Sequence, residues 1–327
     1  MPTILLSAPY IIPYLDRFRP VFAHYNLELI VPQVRERLEE ADILAYAGQF
    51  DGVICGDDRF TRRALEACVP RLKVISKWGT GIDSLDTEAA DFLDIQIYRT
   101  PNAFTEPVAD SVMGYILAFA RRQPWMDQAM KRGIWEKTPG RSLSECSLGV
   151  IGVGFIGKTV LRRAQAFGMT LLGNDIIEIS PDFIGKTGVE MTSLDELLAR
   201  SSFVSLNCTL NPTSFHLINA RTLTLMRPEA VLINTSRGPI VDEADLIAAL
   251  QAGKIGGAAL DVFEFEPLPS DSPLLSMDNV MLAPHNSNSS PTAWERDWER
   301  VHWNSIRNLL KGLGISTLDF EEWSIAK

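Results

Sequence analysis

The chain is poor in the residues that build disulfide frameworks and metal clusters. Its 327 residues include only four cysteines and four histidines. Cys55, Cys68, Cys146 and Cys208 lie far apart, with no C-x-x-C pair and no His-rich run. That spacing argues against a stapled secreted fold and a zinc ribbon, and no metal site is expected. Reduced thiols packed as small hydrophobes in a cytoplasmic protein are expected instead. A basic stripe is also missing. Lys and Arg number 31 against 41 Asp and Glu, a net charge of −10, which argues against nucleic acid as the main partner. A small anionic substrate stays open, because a local cationic pocket can sit in an acidic protein. No apolar stretch reaches the ~18–20 residues of a membrane span, and Met1–Pro9 lacks the basic leader of a signal peptide. There is no internal repeat and no low-complexity segment. What remains, 46% hydrophobic and 22% charged residues, is a globular composition long enough for two ordinary domains.

The most informative stretch is Ser147–Asp175. An apolar run, Leu148-Gly149-Val150-Ile151, enters Gly152-Val153-Gly154-Phe155-Ile156-Gly157, a G-x-G-x-x-G spacing. A helical pattern over Lys158–Phe167 and a second apolar run over Met169–Asn174 follow, ending at Asp175, 18 residues beyond Gly157. Strand, tight turn, helix, strand and acid form the dinucleotide fingerprint in its expected context. Gly152 would permit the sharp turn, Gly154 would let backbone approach a pyrophosphate, and Gly157 would let helix and strand pack closely. The helix N-terminus offers amides and a positive dipole end to the phosphates. Asp175 can accept both ribose hydroxyls of NAD and would repel the extra phosphate of NADP, so NAD is the expected cofactor.

Before this stretch, strands are expected at Thr3–Ala8, Leu27–Val31, Gly52–Cys55, Leu72–Ser76 and Ile95–Tyr98. Helices are expected between them at Val34–Glu40 and Thr61–Ala67. Alternation of this kind implies parallel pairing and a doubly wound α/β sheet over about residues 1–100. After the fourth strand comes Lys77-Trp78-Gly79-Thr80-Gly81-Ile82-Asp83. Ligands of such sheets bind beyond strand carboxyl ends. Gly79, Thr80 and Gly81 can present backbone amides there, and Lys77 a positive charge, to an anion. Glu106-Pro107 opens a long buried helix through Ala120, with domain-crossing or subunit contact as its expected use. Past Asp175, a helix is expected at Ser193–Ala199, and strands at Phe203–Asn207, Ala230–Asn234, Ala258–Val262 and Val280–Ala283. A helix at Ala244–Ala252 and a final amphipathic helix from about Pro291 to Leu310, striped by Trp294, Trp298, Val301, Ser305 and Leu309, complete the reading.

The second half repeats one arrangement three times. An apolar strand ends and a polar residue follows in the loop: Arg237, Glu266 and His285. Taken singly, each has a bland explanation: a surface arginine, a turn glutamate, a capping histidine. Taken together they suit hydride transfer between a nicotinamide and a hydroxy acid. Arginine forks onto a carboxylate, histidine moves a proton near neutral pH, and a carboxylate orients the ring and favours its charged form.

With these motifs in view, the chain resembles the D-isomer-specific 2-hydroxyacid dehydrogenases, and within them the phosphoglycerate-dehydrogenase-like branch. The resemblance runs through nearly the whole sequence. It is most specific at Gly79–Asp83, Gly152–Gly157, Asn234-Thr235-Ser236-Arg237-Gly238, Asp261–Pro267 and Pro284-His285. It implies two doubly wound parallel-sheet domains. A Rossmann NAD domain, about 102–287, is inserted into a discontinuous flavodoxin-like substrate domain, 1–101 with 288–327. It implies that Arg237 binds the substrate, that His285 is the acid–base and that Glu266 supports it. Amides around Thr80 and Gly81 would hold the substrate carboxylate. Gly152, Gly154, Phe155, Ile156 and Gly157 with Asp175 become the expected cofactor cradle, and Thr209, Thr235 and Asp261 further cofactor contacts. A homodimer built around helices like Val108–Ala120 is implied as well.

The chain departs from the pattern in places. Lys77 stands where that branch often has arginine, and Arg99 where a small polar residue is common. Thr209 replaces a frequent proline, and Asn286-Ser287-Asn288 replaces a glycine-rich turn. With the sequence ending at Lys327, the regulatory domain of longer phosphoglycerate dehydrogenases is not expected. 3-Phosphoglycerate is the first expectation for the substrate, with glyoxylate and hydroxypyruvate open. A nucleotide-sensing scaffold like the family's corepressor branch is the competing function, and the intact trio argues against it. A Rossmann methyltransferase is disfavoured because it has no use for the trio.

Overall fold

The structure, a computed structural model, describes residues 1–102, 104–289 and 298–316, the side chains of 298–300 apart. The chain forms two compact units, one of residues 1–103 and 291–327 and the other of 104–290.

The first unit is a five-stranded sheet in the order β2-β1-β3-β4-β5. Its strands are β1 (Thr3–Leu6), β2 (Glu28–Ile30), β3 (Gly52–Cys55), β4 (Val74–Lys77) and β5 (Gln96–Arg99), and every pairing is parallel. This is the flavodoxin-like doubly wound order. β1, β3 and β4 are buried along their whole length, which is why β1 and β3 read as largely apolar runs and not as alternating ones, while β4 buries Ser76 and Lys77 at its end.

The helix expected at Val34–Glu40 does not form there. It runs from Glu40 to Ala45, started by a capping box between Glu39 and Asp42. Leu38, within the expected helix, instead donates its amide to the Asp58 carboxylate at 2.7 Å. Helices at Leu15–His24 and Thr87–Phe92 were not foreseen. The first carries Pro20 in its interior, a residue that argues against helix when sequence alone is read. The C-terminal helix is Trp298–Gly312. Val301, Ser305 and Leu309 are buried as the stripe predicts, while Trp294 and the expected start at Pro291 lie outside the described residues. This helix packs on the first sheet, where Ser305 O accepts the Ser76 hydroxyl at 2.7 Å.

The second unit is a seven-stranded, all-parallel sheet in the order β12-β11-β10-β9-β6-β7-β8. The strands are β6 (Ser147–Ile151), β7 (Thr170–Asn174), β8 (Glu190–Met191), β9 (Phe203–Leu206), β10 (Val231–Asn234), β11 (Gly257–Leu260) and β12 (Val280–Leu282). Read outward from β6, this is the Rossmann order, with the direction of winding reversing between β6 and β9. The apolar helix Thr105–Arg121 belongs to this unit and buries Val108, Val112, Met113 and Ile116. Among the described residues, no helix is long and apolar enough to cross a membrane.

His302 gives the first unit a pH-dependent stability. Its Nδ1 accepts the Trp78 indole N–H at 2.9 Å, and the Phe18 ring meets it edge-on. Burial pushes the imidazole from 6.5 down to about 3. Between those values the unfolded chain binds a proton that the folded chain refuses. Stability is therefore full above about pH 6.5 and lost as pH falls toward 3. The complete effect is on the order of 5 kcal/mol at ~1.36 kcal/mol per unit. His302→Gln keeps an acceptor for Trp78 and is expected to flatten this acid slope in urea unfolding measured across pH. An unchanged slope would contradict the assignment.

Candidate active site

The fingerprint turn sits at the winding reversal. Gly152 follows β6 with φ +88°, and a β-carbon there would lie 2.5 Å from Cys208 N, just past the end of β9. No L side chain fits that position. Gly157 is also closed to a side chain, since a β-carbon would stand 2.1 Å from Gly152 O. Gly154 differs. It caps the helix Phe155–Ala166, and a β-carbon on it would meet nothing within 4 Å. The turn is thus tight on its protein side and open above the first helical amides, which lack carbonyl partners. Asp175 follows β7, and its carboxylate accepts the amides of Val153 at 2.6 Å and Ile177 at 3.1 Å. Ile176-Ile177-Glu178 comes next, with no cation in it.

Two buried polar atoms at neighbouring strand ends have no partner among the described residues: Asn207 Oδ1 beyond β9 and Thr235 Oγ1 beyond β10. An open glycine cradle at a helix N-terminus, orphaned polar atoms beside it and an acid at the next strand end fit a dinucleotide. Phe155 and Thr209 are exposed on this rim and Ile156 is half-buried.

The three strand-end residues leave the same sheet edge, because β10, β11 and β12 all run parallel to β6. Hydrogen bonds link their loops. Asn234, buried at the end of β10, donates from Nδ2 to Arg237 O at 2.8 Å and accepts the Ser236 amide at 3.1 Å. Its own carbonyl accepts the Asp261 amide at 3.0 Å. Asp261, 1% exposed at the end of β11, then holds the next loop. Its carbonyl accepts the His285 amide, and its two carboxylate oxygens accept those of Asn286 and Ser287, all at 2.8 Å. The sequence marks Asp261 as a cofactor contact, and the observed bonds show that its carboxylate also holds the turn after His285.

That grip explains how His285 can sit at φ +51°, a left-handed conformation that disfavours a side-chain-bearing residue and persists where its surroundings over-determine it. His285 Nδ1 lies 2.9 Å from Glu266 Oε2, with both side chains about four-fifths buried (23% and 19% exposed). A carboxylate only accepts, so Nδ1 carries its hydrogen toward Glu266, which places proton exchange on Nε2. The other Glu266 oxygen accepts the Phe263 amide at 3.0 Å. Gly238, next to Arg237, packs so closely on this segment that a β-carbon would fall 1.9 Å from Phe263 C. The Arg237 and Glu266 loops therefore lie backbone to backbone.

Sequence reasoning missed the roles of Asn234 and Gly238, although both stand in the quoted Asn234–Gly238 motif. It also missed His216, which pairs with Glu264 at 2.5 Å and with Asp242 at 3.4 Å and so ties the loop that carries Glu266 to the start of the helix Glu243–Gln251. The residues were visible, but which backbone groups they hold was not.

In the first unit, two expected substrate contacts are corrected. Lys77 is interior, 2% exposed, with its ammonium committed to Gly56 O at 2.6 Å and Asp57 Oδ1 at 2.7 Å. Gly79 is buried and spends its amide on Thr100 Oγ1 at 2.8 Å. Thr80 is exposed and Gly81 half-buried. Among the described residues, no group of three or more His, Cys, Asp or Glu side chains is arranged to hold a metal. Cys208, beside the glycine turn, is pushed up to about 11 by burial, unlike an activated thiolate.

Comparison with known proteins gives a consistent picture. The profile described as "D-isomer specific 2-hydroxyacid dehydrogenase, NAD binding domain" matches residues 113–287. The chain is 39% identical over 283 residues to the D-3-phosphoglycerate dehydrogenase of Methanocaldococcus jannaschii, covering 86% of itself and 52% of that protein. It is 39% identical over 243 residues to the glyoxylate reductase of Korarchaeum cryptofilum, covering 72% of itself and 73% of the relative. It thus spans about half the length of the first relative (52%) and about three quarters of the second (73%). The D-lactate dehydrogenase of Aquifex aeolicus, solved with NAD and lactic acid, is 28% identical with a TM-score of 0.82, over 95% of this chain and 97% of that one. The chain belongs to the D-isomer-specific 2-hydroxyacid dehydrogenase family, whose NAD-binding-domain model it matches over residues 113–287.

Proposed function

We propose that the chain is an NAD-dependent dehydrogenase that interconverts a small D-2-hydroxy acid and its 2-keto acid. The observation that carries the reading is the His285–Glu266 pair at 2.9 Å, set on the same sheet edge as Arg237 and the glycine turn. NAD, when bound, supplies or accepts the hydride at the substrate's second carbon. Gly152, Gly154, Phe155, Ile156, Gly157 and Asp175 would cradle it, with Thr209, Thr235 and Asp261 as further contacts.

The protein's residues handle charge and protons. Arg237, always a cation, binds the substrate carboxylate and steadies negative charge growing on the reacting oxygen. His285 gives a proton from Nε2 to that oxygen during reduction and takes it back during oxidation. Glu266 fixes the ring and balances the charge of the imidazolium. The turn at Thr80 and Gly81 is proposed to hold a carboxylate through its amides, a role carried over from the family resemblance. The carboxylate of Asp175, with no cation in Ile176-Ile177-Glu178, supports preference for NAD over NADP.

We further propose a cytoplasmic homodimer. The support for the compartment is four unpaired cysteines, three of them buried. Support for the dimer is the exposed apolar group Met130, Ile134 and Trp135, the last 82% exposed, shortly after the helix Thr105–Arg121. Sedimentation velocity is expected to give twice the 36.3 kDa chain mass, and a single-chain mass would overturn this.

Two kinetic outcomes test the chemistry. His285→Ala is expected to lower kcat about 10²–10⁴-fold, the usual scale for losing a general acid–base, and near-normal turnover would refute the role. In the wild type, kcat/KM is expected to be higher with NADH than with NADPH, and the reverse order would reject the Asp175 argument.

A further inference from the structure

The carboxyl edge of the first sheet holds charges that the chemistry above does not use. β1, β3 and β4 lie side by side in that sheet. Lys77 ends β4, and its ammonium reaches across to the loop after β3, where Gly56 O and Asp57 Oδ1 accept its hydrogens at 2.6 and 2.7 Å. The Lys77 side chain is 3% exposed and that of Asp57 is 32% exposed. Next to Asp57, Asp58 is fully buried and takes the Ser7 hydroxyl from beyond β1 together with the Leu38 amide. The loop after β3 therefore pairs one carboxylate, Asp57, with the Lys77 ammonium, while its neighbour Asp58 is engaged by Ser7 and Leu38.

A buried ammonium with a carboxylate partner is expensive to separate, because withdrawing it leaves an uncompensated charge. Lys77 is thus committed inside the protein, although it stands only three residues before Thr80, the turn proposed to hold the substrate's carboxylate. Arg99, its register partner on β5, is exposed on an edge strand, where water and salt weaken its pull. A 2-keto acid with a phosphate on its third carbon needs a cation for that dianion, and the neutralised Lys77 does not offer one.

We propose that Asp57 is a specificity-determining residue, which locks Lys77 and so directs the enzyme toward 2-keto acids that carry no phosphate. This rests on the dehydrogenase reading and narrows its substrate class. Asp57 acts through Lys77 and takes no part in proton or hydride movement.

The test is kcat/KM with NADH for hydroxypyruvate and for its 3-phosphate, in the wild type, in Asp57→Asn and in Asp57→Asn/Lys77→Met. The wild type is expected to favour the unphosphorylated acid. Asp57→Asn should move the ratio about tenfold toward the phosphorylated one, the scale of one charge-assisted contact. Removing Lys77 as well should restore the wild-type ratio, a reversal that loosened packing alone would not produce. Should Asp57→Asn fail to fold, Asp57→Ser takes its place. A wild type that favours the phosphorylated acid, a ratio unmoved by releasing Lys77, or a shift that survives loss of Lys77 each overturns the proposal. Absence of turnover with any 2-keto acid, alongside intact NADH binding by fluorescence, overturns the dehydrogenase reading and the proposal with it.

Discussion

The candidate site depends on one buried carboxylate. Asp261 holds three successive amides, those of His285, Asn286 and Ser287, with its carbonyl and its two side-chain oxygens. The two bonds to the carboxylate are charge-assisted, a kind about twice as strong as neutral ones, and together with the carbonyl bond to the His285 amide they fix the path of a short turn. They offset the cost of the left-handed His285 backbone and aim its imidazole at Glu266. Through its own amide on Asn234 O, Asp261 also joins this turn to the loop that carries Arg237. A guanidinium, a carboxylate and an imidazole that are distant in sequence are thereby tied to three adjacent strand ends.

The fold supplies what this arrangement needs. An all-parallel sheet delivers every strand's carboxyl end to one edge, so consecutive βα units add one functional loop each. The winding reversal between β6 and β9 opens the crevice in which the glycine turn lies. Gly152 and Gly157 let backbone approach backbone where any side chain would collide. Gly238 does the same between the Arg237 and Glu266 loops. The chemistry thus relies on missing side chains as much as on present ones.

Much of this was legible in the sequence, for identifiable reasons. β1, β3, β6 and β9 to β11 are largely apolar runs because both faces of a parallel sheet are covered, and such runs stand out. The fingerprint was legible because its glycines answer to backbone geometry set within a few residues. Arg237, Glu266 and His285 stood out by repeating one position after three strands. What stayed hidden depends on tertiary partners. A helix was expected at Val34–Glu40, but the Leu38 amide is claimed by Asp58 from another loop. Leu15–His24 is a helix despite Pro20, an outcome local propensity does not anticipate. Lys77 looked like an anion contact because its position follows a strand, and only the fold shows its charge spent on Asp57. Asp261 stands in the Asp261–Pro267 motif, but only the fold shows its grip on the His285 turn.

The most direct test of the central claim is the turnover of Asp261→Asn, measured with saturating NADH and keto acid on protein whose folding has been checked by circular dichroism and urea unfolding. The amide side chain replaces one acceptor oxygen with a donor facing a backbone N–H, so the His285 turn loses a charge-assisted contact and gains a repulsive one. The account predicts that kcat falls about tenfold or more while the fold persists. Wild-type kcat in a folded Asp261→Asn protein would contradict it.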